Sequence, residues 1–171
     1  MEKEWRGKRD IAGGGEMLDQ GVHLVDLSRW FLGEFTHVAG SVERFFWNWE
    51  VEDNGFCHLK TEGGQVAWLH ASWTEWKNLF SFEVFGRQGK LQVDGLGGSY
   101  GVERLTHHRM RPEMGPPDTV DWDYPGDDAS WREEYASFLQ ATSGGATANA
   151  TLEDAAAALA IVEDAYRGRR A

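Results

Sequence analysis

The sequence predicts an α+β domain with an open, mainly antiparallel β-sheet and helices on one face. Three observations predict this class: a helical pattern near the amino terminus, a run of short strand patterns joined by tight turns, and two helical patterns near the carboxyl terminus. Short turns favour antiparallel neighbours, because parallel strands need long crossover connections. Strands in one run and helices in others are typical of α+β proteins. We expect a single domain over residues 1–171, an ordinary length for one hydrophobic core.

Composition limits the classes of protein to which the chain can belong. The formal net charge is −11, and the basic residues are scattered apart from short patches, which argues against nucleic-acid binding. The single cysteine, Cys57, cannot form an internal disulfide and suits a cytoplasmic protein. No apolar run approaches the ~18 residues of a membrane span, and the charged start does not resemble a signal peptide. We therefore predict a cytoplasmic protein with no nucleic-acid or membrane partner.

The first helical pattern follows the triple glycine Gly13–Gly15 and predicts a helix over residues 16–32. At about 100° per residue, four of its positions fall within a stripe roughly 60° wide: Asp19, His23, Asp26 and Trp30. Most other positions are apolar, so the helix should pack on several sides while its polar stripe borders a cleft. The glycines lack the GxGxxG spacing and the Lys-Ser/Thr of phosphate loops. They predict a cap and a close backbone approach instead.

Alternating apolar and polar residues predict a meander of five to seven strands after this helix. The predicted strands lie within residues 35–49, 56–61, 65–73, 80–84, 90–94 and 100–105. Residues 107–128 contain four prolines and predict a loop or an edge excursion, in which Thr119–Trp122 could form a short strand. Two helices should follow, each starting at a capping box, at Ser130–Glu133 and at Thr151–Asp154.

The pattern GGGxxxDxGxHxxD, from Gly13 to Asp26, resembles the signature that opens the C-terminal domain of the Gfo/Idh/MocA oxidoreductases. The segments VEDNGFCHLKTEGGQVAWLHASWT, FGRQGKLQVDG and TLEDAAAALAIVEDAY are also similar to this family, so the resemblance covers roughly residues 5–168. It implies a glyceraldehyde-3-phosphate-dehydrogenase-like substrate domain whose open sheet face pairs subunits. Members of the family are NAD(P)-dependent dehydrogenases of sugars, inositols and related polyols.

The resemblance implies catalytic roles for Asp19 and His23, whose counterparts stand beside the substrate carbon that gains or loses hydride. Histidine suits removal of a hydroxyl proton, because the unperturbed pKa of its side chain lies near neutrality. An aspartate one turn earlier can hold the ring, stabilise the imidazolium or bind a second hydroxyl. From spacing alone, a solvated helix face is the alternative interpretation. We expect Asp26 to be structural.

Three further residues are candidate substrate contacts. Trp5 and Arg6 precede the glycines at a place where the family often has a Trp-Arg pair near the substrate pocket. Packing of Trp5 on the sheet is the alternative. Trp73 could stack on a sugar ring, or pack in the core or an interface.

Two histidines are candidate metal ligands. His58 and His70 lie on adjacent predicted strands and could face each other. Metal binding would need further ligands, and histidines satisfied by neighbours or placed in an interface are the simpler interpretation, so we predict no metal site.

The family resemblance implies NAD or NADP, bound by a Rossmann domain whose lysine completes the catalytic group. No segment of this sequence resembles that domain, so we predict no cofactor site in the chain and no turnover by the chain alone. A piece of a longer enzyme, a split-gene product and a natural stand-alone domain all remain open.

The predicted function is therefore that of the substrate-binding and oligomerising domain of a sugar or polyol dehydrogenase, in a homodimer or tetramer formed through the sheet. The alternative is a non-catalytic sugar-binding or dimerisation module. A third hypothesis is a metal-dependent isomerase or hydrolase built on the four residues Asp19, His23, His58 and His70.

Overall fold

The computed structural model describes residues 5–145 and 150–168, which form two compact units. The first unit contains residues 5–74 and 150–168, and the second contains residues 75–145. In chain order the elements are α1 (Arg9–Ala12), a π-helical turn (Met17–Gly21), α2 (Val22–Leu32), β1 (Phe35–Glu43), β2 (Asn54–Thr61), β3 (Val66–Ser72), β4 (Ser81–Phe85), β5 (Gly89–Asp94), a 3₁₀ turn (Gly98–Tyr100), β6 (Glu103–Arg109), β7 (Asp118–Tyr124), α3 (Ser130–Thr142) and α4 (Leu152–Tyr166).

The α+β class is confirmed, and all strand pairs are antiparallel. The predicted meander is divided between two sheets, with strand orders β1-β2-β3 and β4-β5-β6-β7. The prediction of one domain over residues 1–171 stays a prediction, and its segments 1–4, 146–149 and 169–171 lie outside the described residues.

The core of the first unit lies between its sheet and the helices α2 and α4. Alternate residues of β2 and β3, including Cys57, Leu59 and Leu69, point to this side and are buried with Val25 of α2 and Val162 of α4. Burial of an aliphatic side chain of this size stabilises a fold by about 1.5–3 kcal/mol. The prediction of helices on one face of the sheet therefore holds in this unit.

The opposite side of the three-stranded sheet carries rings, which we call the outer aromatic face: His37, Phe56, His58, Trp68 and His70. The pairing register sets His58 against Trp68 and Phe56 against His70, with ring centroids 4.6 and 4.5 Å apart. Trp68 is 77% exposed. His58 and His70 are on adjacent strands as predicted, but each faces an aromatic ring rather than the other histidine.

The second unit corrects the loop predicted over residues 107–128 and extends the short strand predicted at Thr119–Trp122. Strand β6 continues to Arg109, and β7 is a full strand from Asp118 to Tyr124. The strands are linked by charged cross-strand pairs, including Arg104–Asp123, whose Nε and Oδ1 atoms are 2.6 Å apart. Every residue of β7, which lies at the edge of its sheet, is exposed. The alternation of apolar and polar residues therefore could not reveal the full length of this strand, because its side chains form charged pairs with the sheet instead of being buried.

One predicted capping box forms and the other does not. At the start of α4 the Thr151 hydroxyl accepts from the Asp154 amide, while the Asp154 carboxylate accepts from the Thr151 amide, as predicted. At α3 the N-cap is Ala129, and the Ser130 amide donates to the carboxylate of Asp128 instead. No helix of the described part of the chain has the length and apolar character needed to cross a membrane.

Candidate substrate pocket

The predicted helix over residues 16–32 begins with a π-helical turn rather than an α-helical one. This turn covers Met17–Gly21, and α2 begins only at Val22. The i→i+5 hydrogen bonds of a π-helix widen the turn, and such bulges are frequent at functional sites. The regular 100° spacing assumed between Asp19 and His23 is therefore wrong, because the π turn contains the first of them.

The triple glycine lets the backbone approach its neighbours closely, as predicted. A Cβ atom on Gly15 would lie 2.0 Å from the carbonyl oxygen of Glu52, and one on Gly14 would lie 2.4 Å from the Tyr166 hydroxyl. The amides of Gly15 and Met17 donate to Oε1 of Glu52 at 3.1 and 3.2 Å. Both amides are therefore hydrogen-bonded to a carboxylate of the same chain.

A pocket of about 170 Å³ lies beside the π turn. It is lined by Trp5, Arg6, Ala12, Gly14, Leu18, Asp19 and Trp73. Arg6 Nε lies 3.5 Å from Asp19 Oδ2, and both side chains are about one-third exposed, at 34%. The Arg6 guanidinium carbon is 5.0 Å from the ring centroid of Trp5. Four of the five predicted site residues thus meet in one pocket, although their roles in binding stay predictions.

His23 does not line this pocket. It is an exposed residue of the first turn of α2, and it makes no hydrogen bond or ion pair with any residue in the described ranges. Asp19 forms its ion pair with Arg6 and has no hydrogen bond to His23 within those ranges. The catalytic roles of Asp19 and His23 stay predictions.

Asp26 has the structural position expected for it. Its carboxylate lies 3.7 Å from Arg29, a buried arginine that also pairs with Glu34 and Asp154. Because Asp154 belongs to α4, this network links the two helices that cover the sheet.

Two buried glutamates beside the pocket were missed by the sequence reasoning. Glu16 is 3% exposed, and its pKa is raised to about 8 by burial, with further contributions from the negative charges of Asp19 and Glu52 that exceed the opposing effect of Arg6. Glu52 accepts hydrogen bonds from two backbone amides and from the Tyr166 hydroxyl of α4. Burial and this last bond raise the pKa of Tyr166. Nothing in the local pattern around either glutamate signalled burial.

Asp53 organises the segment that supports Trp73. Its carboxylate accepts from the amides of Phe45, Phe46 and Trp47 at 2.9, 2.8 and 2.8 Å. Burial raises its pKa, but these bonds and one from the Asn54 side chain outweigh that effect, so its pKa lies below the usual range. The segment continues to Trp49. The Trp49 ring stacks on Trp47 and meets Trp73 edge to face, with centroids 5.1 and 5.2 Å apart.

Within the described ranges no group of three or more histidine, cysteine, aspartate or glutamate side chains is placed to hold a metal ion.

Comparison with known proteins identifies the family. The family model of the GFO/IDH/MocA C-terminal domain matches residues 1–92. The 1,5-anhydro-D-fructose reductase of Ensifer adhaerens is 29% identical over 179 residues, an alignment that covers 98% of this chain and 50% of the relative. The chain therefore spans about half the length of this relative.

Solved structures agree in fold. An NAD binding oxidoreductase from Klebsiella pneumoniae is 19% identical in sequence, and its structure matches with a TM-score of 0.75. The match covers 98% of this chain and 52% of the Klebsiella chain. An oxidoreductase from Agrobacterium radiobacter, solved in complex with NAD+, L-tartaric acid and magnesium, is 18% identical with a TM-score of 0.74. This match covers 97% of this chain and 49% of the Agrobacterium chain. At these identities the likeness concerns the fold. Because the family model covers more than half of its residues, the chain belongs to the Gfo/Idh/MocA oxidoreductase family, and it matches the C-terminal domain.

Proposed function

We propose that this chain is the substrate-binding domain of an NAD(P)-dependent oxidoreductase that acts on a sugar or polyol. The observation that carries the proposal is the pocket, which places the Arg6–Asp19 pair beside Trp5 and Trp73. Indole rings pack on the C–H faces of sugars, and charged groups form the stronger hydrogen bonds to hydroxyls. The naming of the Ensifer adhaerens relative as a reductase of an anhydro sugar supports the same substrate class.

In this proposal the chain handles the proton of the reaction. A nicotinamide held by a Rossmann domain would supply or accept the hydride. His23 takes the hydroxyl proton during oxidation and returns it during reduction, for which an exposed imidazole without a partner in the described ranges is suited. Asp19, held by Arg6, binds a second hydroxyl and orients the substrate.

The glycine-rich turn Gly13–Gly15 does not fit the phosphates of a dinucleotide. The glycine-rich turn resembles a phosphate loop only in composition, because the amides of Gly15 and Met17 already serve Glu52. Asp19 and Glu52 place further negative charge beside that turn, which opposes phosphate binding. We therefore propose that a Rossmann domain binds the cofactor and that the chain alone neither binds NAD(P) nor turns over.

Pairing of copies through a sheet is part of the same proposal. The outer aromatic face combines the exposed Trp68 with Phe56 and three histidines, and large exposed patches of this kind mark interaction surfaces. A homodimer or tetramer formed through this face is consistent with that composition. A cytoplasmic location stays a prediction.

The alternative function is a non-catalytic sugar-binding or dimerisation module. It is favoured by the same lack of fit to a dinucleotide, since a pocket can bind a sugar without chemistry. A metal-dependent isomerase or hydrolase has no supporting observation in the described ranges.

Calorimetric titration of the chain with 1,5-anhydro-D-fructose and, separately, with NADPH tests the proposal. We expect saturable binding of the sugar and none of the dinucleotide. Asp19→Asn should weaken sugar binding about tenfold, since a hydrogen bond to a charged group contributes about 1.5–3 kcal/mol. The matched control is Asp26→Asn, which changes an exposed carboxylate on α2, the helix that continues from the π turn. Equal effects of the two substitutions, or tight NADPH binding, would contradict the proposal.

A further inference from the structure

Glu16 is a buried carboxyl for which the proposed chemistry has no use. It follows the triple glycine directly, and only 3% of it is exposed. Its Oε2 atom has no hydrogen-bond partner in the described part of the chain. Because burying a polar atom without a partner is costly, such a group calls for an explanation.

Two of the other buried atoms without a hydrogen-bond partner within the described ranges belong to the pocket: Arg6 Nε and Asp19 Oδ2. They face each other at 3.5 Å as an ion pair without a hydrogen bond. Glu16 does not line the pocket, but its ionisation is opposed by the charge of Asp19 and favoured by that of Arg6. Arg6 and Asp19 therefore act on the Glu16 carboxyl with opposite charges, and an ionised Glu16 would compete with Asp19 for the Arg6 guanidinium.

We propose that Glu16 is a positioning residue, which leaves Arg6 paired with Asp19 only while its own carboxyl carries a proton. When Glu16 ionises, its charge repels Asp19 and attracts Arg6, so the pair that lines the pocket separates. One consequence rests on the proposed function: a sugar or polyol binds the form of the protein in which Glu16 is protonated.

The surroundings of Glu16 support a carboxyl that keeps its proton at neutral pH. Burial has the largest effect, followed by the charges of Asp19 and Glu52, while Arg6 acts in the opposite sense. From α4 the titratable Tyr166 approaches Glu52 and donates to it. The result is a pKa of about 8 instead of the ordinary 4.5.

A raised pKa makes the stability of the protein depend on pH. The folded state binds the Glu16 proton more tightly than the unfolded state does. The stabilisation that Glu16 contributes is therefore complete below about pH 4.5 and is lost as pH rises to about 8. Across that interval the unfolding constant should rise about tenfold per pH unit because of this group. Glu16→Gln, which keeps the neutral shape, should remove that component. Glu62→Gln, at an exposed turn, should retain it.

Carbon-detected NMR of the ligand-free chain between pH 6 and 10 tests the inference directly. We expect the Arg6 Cζ and Asp19 carboxyl resonances of the wild-type protein to shift with a common midpoint near pH 8. The same midpoint should appear in Glu62→Gln and be absent in Glu16→Gln. Wild-type resonances that do not change near pH 8, or a midpoint that persists in Glu16→Gln, would overturn the inference. A wild-type titration without a change near pH 8 overturns the inference even if Glu16→Gln does not fold.

Sugar titrations separate this inference from the proposed function. With a pKa of about 8, roughly a tenth of the molecules keep the Glu16 proton at pH 9, so the affinity for 1,5-anhydro-D-fructose should fall about tenfold from pH 7. Equal affinity at both values would overturn the positioning role while the sugar-binding function stands. An NMR midpoint near pH 8 without sugar binding at either value would support the role of Glu16 and refute the proposed function.

Discussion

The sheets of the two units have the same antiparallel pairing, but they differ in what covers them. In the first unit two helices cover one face, and Leu59 on the central strand β2 is 0% exposed. In the second unit no large apolar side chain is buried within the described residues 75–145, and Leu91 on the inner strand β5 is 40% exposed. Strand pairing is thus common to both units, whereas a buried core is found in one.

The second unit has different means of holding its strands. Charged side chains pair with those of β7: Arg104 of β6 with Asp123, and Arg111, two residues after the end of β6, with Asp118. Its helix α3 has no buried residue, and its aromatic side chains, among them Trp131 and Phe138, are exposed. Exposed pairs of this kind stabilise weakly, and apolar surface of this extent is typical of contacts with other domains or chains. The comparison teaches that strand patterns alone do not tell where stability resides.

The largest expected effect comes from the core of the first unit. Leu59→Ala should lower the free energy of unfolding by about 2–5 kcal/mol, because it leaves a cavity in a fully buried site. Leu91→Ala, the matched change on an inner strand of the other sheet, should cost less than about 1 kcal/mol. Urea denaturation gives both values, and hydrogen exchange by mass spectrometry assigns them to a unit. Equal costs would show that the second unit has a core of comparable strength.

An intermediate effect is expected for the hydrogen bond that links α4 to the glycine-rich turn. Tyr166→Phe removes a donor from the buried carboxylate of Glu52 and should cost about 1.5 kcal/mol. Tyr124→Phe, on the exposed edge strand β7, should change stability by less than about 0.5 kcal/mol. Thermal unfolding of both variants measures the difference. An unchanged midpoint in Tyr166→Phe would mean that the Glu52 cluster does not tie α4 to the pocket.

The smallest effect should come from the charged pairs of the second unit. The hydrogen bond and charge of Arg104 lower the pKa of Asp123, so the contribution of the pair is present above the ordinary pKa of 3.8 and is lost as pH falls below it. A double-mutant cycle of Arg104→Ala and Asp123→Ala should show a weak coupling that disappears in 1 M NaCl. Coupling that survives high salt would indicate a pair shielded from solvent and would weaken the contrast between the units.

Much of this molecule follows from local patterns. Turn chemistry and alternation placed strands β1–β5 to within a few residues, and the Gly13–Asp26 signature identified the family that the comparisons confirm. The candidate residues Trp5, Arg6 and Asp19 come from the family resemblance, Trp73 comes from its ability to stack on a sugar ring, and all four lie in one pocket. These features could be predicted because each depends on residue type and on spacing over a few positions.

Other features depend on contacts between distant segments. Strand β7 exists because its aspartates meet arginines of β6, the π turn interrupts a regular helical pattern, and the strands divide between two sheets. In the sequence Glu16 and Glu52 resemble ordinary surface charges. In the structure both are buried, and Glu52 accepts a hydrogen bond from Tyr166, 114 residues later in the chain. By itself the sequence determined the class, the family and the candidate site residues. Only the tertiary structure decided which carboxyls are buried and in which direction burial shifts their pKa values, because desolvation depends on every segment that packs around a group.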